Sequence, residues 1–173
     1  NDLLSEEIRE CNTFAPDLAV DIHINAGGGT GFEAFHALAG GRGKSLAQAL
    51  EREVLALGQT SRGVKTRANS TGCDYYGFIR QTRCPAVIVE YGFIDNAADR
   101  MKFDEASEQA AIGRAYARGI LKTLGVSAKE ETETDKSCAV LRNKLSLAEE
   151  TIEYLLRYPY GEQLVQRIAD AVK

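Results

Sequence analysis

Tryptophan is absent from this 173-residue chain, methionine occurs once, histidine twice and proline three times. Imidazole chemistry is therefore confined to His23 or His36. The four cysteines, Cys11, Cys73, Cys84 and Cys138, form no C-x-x-C pair and have no histidine beside them. That argues against both a thiolate metal site and a disulfide scaffold in a chain of this length, and fits synthesis in a reducing cytoplasm. An excess of basic charge is also missing: 21 Lys and Arg face 25 Asp and Glu, for a formal net charge of −4. Nothing here resembles the electrostatic footprint of a nucleic-acid binder. No apolar run approaches the length of a membrane span, and no charged, apolar, small-residue leader pattern opens the chain.

What is present is 44% hydrophobic residues, enough to bury one ordinary core and carry a short extra module. After a helix-like pattern of Leu3, Leu4 and Ile8, Pro16 precedes an alternating stretch over 17–25 that ends at Gly27-Gly28-Gly29, the pattern of a strand. A second short strand is expected over 31–38. Helical spacing of Leu46, Ala49, Leu50, Val54 and Leu57 predicts an amphipathic helix over 45–57, with Ser45 as N-cap and Gly58 as its stop. The Gly-, Ser-, Thr- and Asn-rich segment 58–76 predicts a long loop, interrupted by a brief strand at Val64. The near-continuous apolar run from Pro85 through Ala-Val-Ile-Val-Glu-Tyr suits a strand buried on both faces of a parallel sheet, and a helix over about 104–124 follows. This alternation predicts an α/β fold, a mostly parallel twisted sheet flanked by helices, whose chemistry sits at the carboxyl ends of the strands.

His23 and Glu90 both fall at or near such ends, which places them on one edge if their strands run parallel. His23 is open to two readings, a hydrogen-bonded structural imidazole or a zinc ligand or base. Glu90, set in Ala-Val-Ile-Val-Glu-Tyr-Gly-Phe-Ile, reads as a functional carboxylate with a raised pKa, or as one that reaches water or pairs with Arg80 or Arg83. His36 is assigned a structural or solvent role, and Glu33 and Asp21 are not assigned as ligands, because strand alternation leaves their convergence open. Gly40-Gly41-Arg42-Gly43-Lys44-Ser45 imitates a phosphate-binding loop, but Leu38 stands where that motif requires glycine.

Taken together, Asp17-Leu-Ala-Val-Asp-Ile-His-Ile-Asn-Ala26, Gly31-Phe-Glu-Ala-Phe35, Leu46-Ala47, Gly63-Val-Lys65 and Pro85-Ala-Val-Ile-Val-Glu-Tyr-Gly-Phe-Ile-Asp-Asn96 resemble the zinc-dependent N-acetylmuramoyl-L-alanine amidases of bacterial autolysins and phage endolysins, over roughly residues 3–125. The resemblance implies that His23 is the last zinc-binding histidine and Glu90 the catalytic glutamate. It implies zinc as cofactor, peptidoglycan as substrate and action at the bacterial cell wall. It also implies that two further ligands, a histidine and a glutamate, precede the portion that begins here. The competing expectation is a non-catalytic peptidoglycan-binding or regulatory derivative.

The expected organisation is a catalytic domain over 1–126, an acidic linker over 127–136 and a helical module over 137–173. In that module Cys138, Leu141, Leu145, Ala148, Ile152 and Leu155 form a heptad-like seam, and a second short helix carries Leu164, Val165, Ile168 and Val172. Three roles are open: a homo-oligomer through 137–173, wall targeting, or a hairpin covering its own core.

Overall fold

The computed structural model describes residues 2–127 and 132–172, without the side chain of Asp2. Two compact units divide the chain, Asn1–Ala128 and Lys129–Lys173.

The first unit runs α1 (Asp2–Phe14), β1 (Ala19–Asn25), β2 (Phe32–His36), α2 (Gly41–Leu55), β3 (Ser61–Lys65), α3 (Gly77–Gln81), β4 (Ala86–Phe93), α4 (Ala97–Arg100) and α5 (Ala106–Leu124). Its four strands lie in the order β1-β4-β2-β3. β1 pairs parallel with β4 and β2 parallel with β3, while β2 meets β4 antiparallel. The expected mostly parallel sheet flanked by helices is thus what forms. One face buries Phe32, Ala34, Val87, Val89 and Tyr91 against Leu46, Leu50 and Val54 of α2 and Ile112 and Tyr116 of α5. The opposite face buries Ala19, Ala86 and Ile88 against Ile8 of α1 and Phe78 and Ile79 of α3. β4 contributes to both cores because alternate side chains leave opposite faces, which is why its sequence runs apolar.

Two local expectations need correction. α2 starts at Gly41, not after Ser45, and its N-cap is Gly40. Gly40 and Gly41 both adopt positive φ (72° and 63°), so the chain turns into the helix earlier than side-chain capping would allow, and Gly43-Lys44-Ser45 lies within the helix. The Ser45 hydroxyl donates back to the Gly41 carbonyl at 3.4 Å and caps nothing.

The second unit holds α6 (Glu133–Leu145), α7 (Glu149–Leu156) and α8 (Gly161–Ala171). α6 begins inside the segment expected to be linker, because Thr132 and Asp135 cap it reciprocally; residues 128–131 of that expectation lie outside the described residues. The heptad-like seam is not one helix: Ser146 adopts φ 51° and separates α6 from α7. Its members Cys138, Leu141 and Ile152 instead pack on Val165 and Ala169 of α8, forming a core within the unit. No described helix is long and apolar enough to cross a membrane.

Candidate functional site

The β1–β4 register sets His23 directly beside Glu90, and the β2–β4 register sets Glu33 on the other side of Glu90. Paired residues share a face, so one polar row, His23, Glu90 and Glu33, crosses the sheet near its edge. A cleft of about 390 Å³ opens over the His23–Glu90 part of this row; Asp21, His23, Ile88 and Glu90 line it, with Leu3, Leu4 and Glu7 of α1 and the Tyr76–Phe78 segment.

His23 is half exposed, and its Nε2 lies 2.9 Å from Oδ1 of Asp21. A carboxylate on one ring nitrogen fixes the ring and its tautomer, leaving Nδ1 with no partner among the described residues. Glu90 differs sharply: its Oε2 is buried and has no hydrogen-bond partner among the described residues. Arg80, a partner expected as an alternative, donates to the carbonyls of Asp74 and Tyr75 instead. Arg83 lines a separate recess with Cys11, Cys84 and Pro85. Burial pushes the Glu90 carboxyl above the usual range; His23 pulls it down, while the negative charges of Glu33 and Asp21 push it up. Such a group is placed to hold and return a proton.

Glu33, left unassigned on sequence, is buried and fully used. Its Oε1 accepts from Asn25 Nδ2 at 2.9 Å, and its Oε2 accepts from Arg62 Nε at 2.9 Å and Lys65 Nζ at 2.5 Å. Burial raises its pKa, but the hydrogen bonds and charges of Lys65 and Arg62 outweigh that and hold it below the ordinary value. His36 is buried, with Nδ1 donating to the Ala37 carbonyl at 2.7 Å, a structural placement.

The loop that leaves β1 is held by residues sequence reasoning passed over. Asp95 Oδ2 accepts from the N–H groups of Gly27 and Gly28, both at 2.8 Å. Asn96 caps α4 and donates to the Gly29 carbonyl at 3.0 Å. Asp99, only 1% exposed, accepts from Gly31 N, Phe93 N, Thr30 Oγ1 and Gln59 Nε2. The loop leading into β2 and the end of β4 are thereby tied to one buried carboxylate. Asp95-Asn96 belongs to the quoted motif, so that signal was available; Asp99 looks like a surface residue of a short helix and gave none.

Zinc does not fit the described residues by themselves. A catalytic zinc takes three protein donors, and among the described residues no three His, Cys, Asp or Glu side chains converge on a point that could hold a metal.

An open α/β sheet with an imidazole and a desolvated carboxylate side by side over a cleft is an arrangement suited to moving a proton at the end of the strands. The chain belongs to the N-acetylmuramoyl-L-alanine amidase family, whose pattern matches residues 3–122. It is 29% identical over 143 residues, 82% of its length, to the N-acetylmuramoyl-L-alanine amidase CwlM of Bacillus licheniformis, of which it covers 54%. It is 31% identical over 119 residues to the sporulation-specific N-acetylmuramoyl-L-alanine amidase of Bacillus subtilis, covering 68% of this chain and 44% of that one. The chain therefore spans about half the length of these curated relatives. Among solved structures it is similar to Cwp6 from Clostridium difficile, with 33% identity and a TM-score of 0.68 over 70% of this chain and 20% of that one. The fold is also that of the CwlV catalytic domain from Bacillus (Paenibacillus) polymyxa, with a TM-score of 0.62 at 24% identity, covering 72% of this chain and 66% of that one.

Proposed function

We propose that this chain carries the hydrolytic centre for the amide bond between the lactyl group of N-acetylmuramic acid and L-alanine in bacterial peptidoglycan, acting at the cell wall. The observation that carries this reading is the Glu90 carboxyl: one oxygen is buried without a partner, beside His23, at the floor of the cleft. An unsatisfied carboxyl oxygen costs stability, about 1–3 kcal/mol for a buried polar group, and a structural role would have given it a donor. A protein that only bound peptidoglycan through this cleft would have no use for it, so the hydrolytic reading is preferred.

In this reading water attacks the amide carbonyl and Glu90 moves the proton. It takes the proton from the attacking water as the C–O bond forms, then returns it to the alanine nitrogen as the C–N bond breaks. The products are a free lactyl carboxylate and a free alanine amine. Asp21 orients His23, and the leucines of α1 with the Tyr76–Phe78 segment bound the cleft. The zinc implied by the resemblance would take His23 as one of its donors and would polarise the amide carbonyl. Incubating purified cell walls with the chain and labelling newly exposed amino groups tests the reaction. Alanine amino termini appearing without new reducing sugar ends support it; reducing ends without alanine amines overturn it.

A further inference from the structure

The polar row does not stop at Glu33. β3 carries a bulge: Phe32 pairs with Ser61 and Ala34 with Val64, so three steps on β3 face two on β2. Gly63, at φ 96°, takes the conformation that absorbs the extra residue. Ser61 and Val64 consequently share the face of Phe32 and Ala34, and Arg62 is turned to the face of Glu33 and Glu90. Lys65, paired with Phe35, reaches that same face. A regular strand could not present both cations there and keep Val64 in the core.

These cations exceed what Glu33 needs. Two positive groups meet one carboxylate, which leaves one positive charge over, partly shielded from water: the side chains of Arg62 and Lys65 are 43% and 34% exposed. Arg62 spends only Nε on Glu33, and its terminal nitrogens have no hydrogen-bond acceptor among the described residues. Its guanidinium sits 5.2 Å from the centre of the Phe93 ring, so its plane is fixed from below as well as from the side. A held guanidinium with free N–H donors is preorganised for a carboxylate.

From this placement we propose that Arg62, supported by Lys65, binds a carboxylate on the peptide side of the scissile amide, the free α-carboxylate of the γ-linked glutamate that follows L-alanine in the stem peptide. This rests on the muramoyl-alanine reading above. β3 lies two strands from β4, about 10 Å at ordinary strand spacing. Two residues of peptide reach about 7 Å, and the Arg62 side chain covers the remainder. An L-alanine amine held at Glu90 thus brings the next carboxylate to the cationic end of the row.

The test is calorimetric titration of the whole chain with N-acetylmuramoyl-L-alanyl-D-glutamate and with its D-isoglutamine analogue, in which that carboxylate is an amide. This readout is binding and needs no turnover. The acid is expected to bind about tenfold more tightly than the amide, the scale of one charge-assisted hydrogen bond, with the ratio shrinking in salt. In Arg62→Gln the ratio falls to about twofold or less. Equal affinity of the parent for both ligands overturns the proposal, as does an unchanged ratio in a folded Arg62→Gln protein. The parent's own ratio decides even if the variant fails to fold. Binding of neither ligand removes the muramoyl-peptide reading itself, and the subsite with it.

Discussion

Asp99→Asn changes one atom type in a buried carboxylate, and the hydrogen bonds around it give the size of the effect. Oδ2 accepts two backbone N–H groups, Gly31 at 2.8 Å and Phe93 at 2.9 Å. Oδ1 accepts Thr30 Oγ1 at 3.0 Å and Gln59 Nε2 at 3.4 Å. In asparagine the best orientation keeps the carbonyl on the two N–H groups, but as neutral bonds, and turns an NH₂ toward Gln59, donor against donor. Only Thr30 can adapt, by rotating its hydroxyl. Losing the charge from two bonds and inverting a third costs about 2–3 kcal/mol. At about 4 °C per kcal/mol for a unit of this size, the melting temperature should fall by about 8–12 °C. Burial raises the pKa of Asp99, but the bonds from Gly31, Phe93, Thr30 and Gln59 together hold it low. Its contribution is therefore present above the unfolded carboxylate value and is lost as pH falls through the lower, folded value. Thermal unfolding of parent and variant should show the full gap at pH 7 and a shrinking gap in strong acid. A gap at pH 7 below about 2 °C would refute the argument that this carboxylate ties the loop after His23 to β4.

In a protein that also supplies the remaining zinc donors, His23→Ala should lower zinc bound after equilibrium dialysis as well as activity, whereas Glu90→Gln should lower activity alone; equal zinc in His23→Ala and parent would remove the ligand role. Glu90→Gln should also change the pH dependence of stability. The raised Glu90 pKa means that the folded state holds the proton more tightly, so the parent loses stability as pH rises from the unfolded value through the raised one, and the variant does not. Melting curves across pH 4–8, with Asp21, His23 and Glu33 unchanged in both proteins, check this; curves that stay parallel contradict it. Gly29→Ala would press a Cβ against Cζ of Phe93, so the ring that underlies Arg62 must shift, at about 1–3 kcal/mol of overpacking. Urea unfolding reads that loss, and an unchanged midpoint would show that the ring moves freely.

Much of this architecture was legible because its signals are local. The apolar run of 86–93 reads as a doubly buried strand, and the pairing of His23 with Glu90 follows once β1 and β4 run parallel. What escaped depends on residues far apart in sequence. Nothing near Arg62 announces that a bulge will turn it to the Glu33 face, since that takes the β2–β3 register. Asp99 gains its burial only where Gly31, Phe93 and Gln59 meet it. Cys11 and Cys84, far apart in the chain and read as scattered, sit close enough for the Cys11 thiol to add to the burial that raises the Cys84 pKa. The seam of 138–155 does not carry through the helix break at Ser146: Leu145 and Ala148 stand exposed, while Leu147, outside the seam, packs on the core.

The claim on which the rest depends is that Glu90 moves the proton in cleavage of the muramoyl-L-alanine bond. The direct measurement is the rate at which parent and Glu90→Gln, matched for folding and metal content, release alanine amino termini from the same purified cell walls. General acid–base catalysis contributes about 10²–10⁴-fold, so the account predicts a Glu90→Gln rate lower by at least about a hundredfold. A variant that released alanine at close to the parent's rate would contradict it.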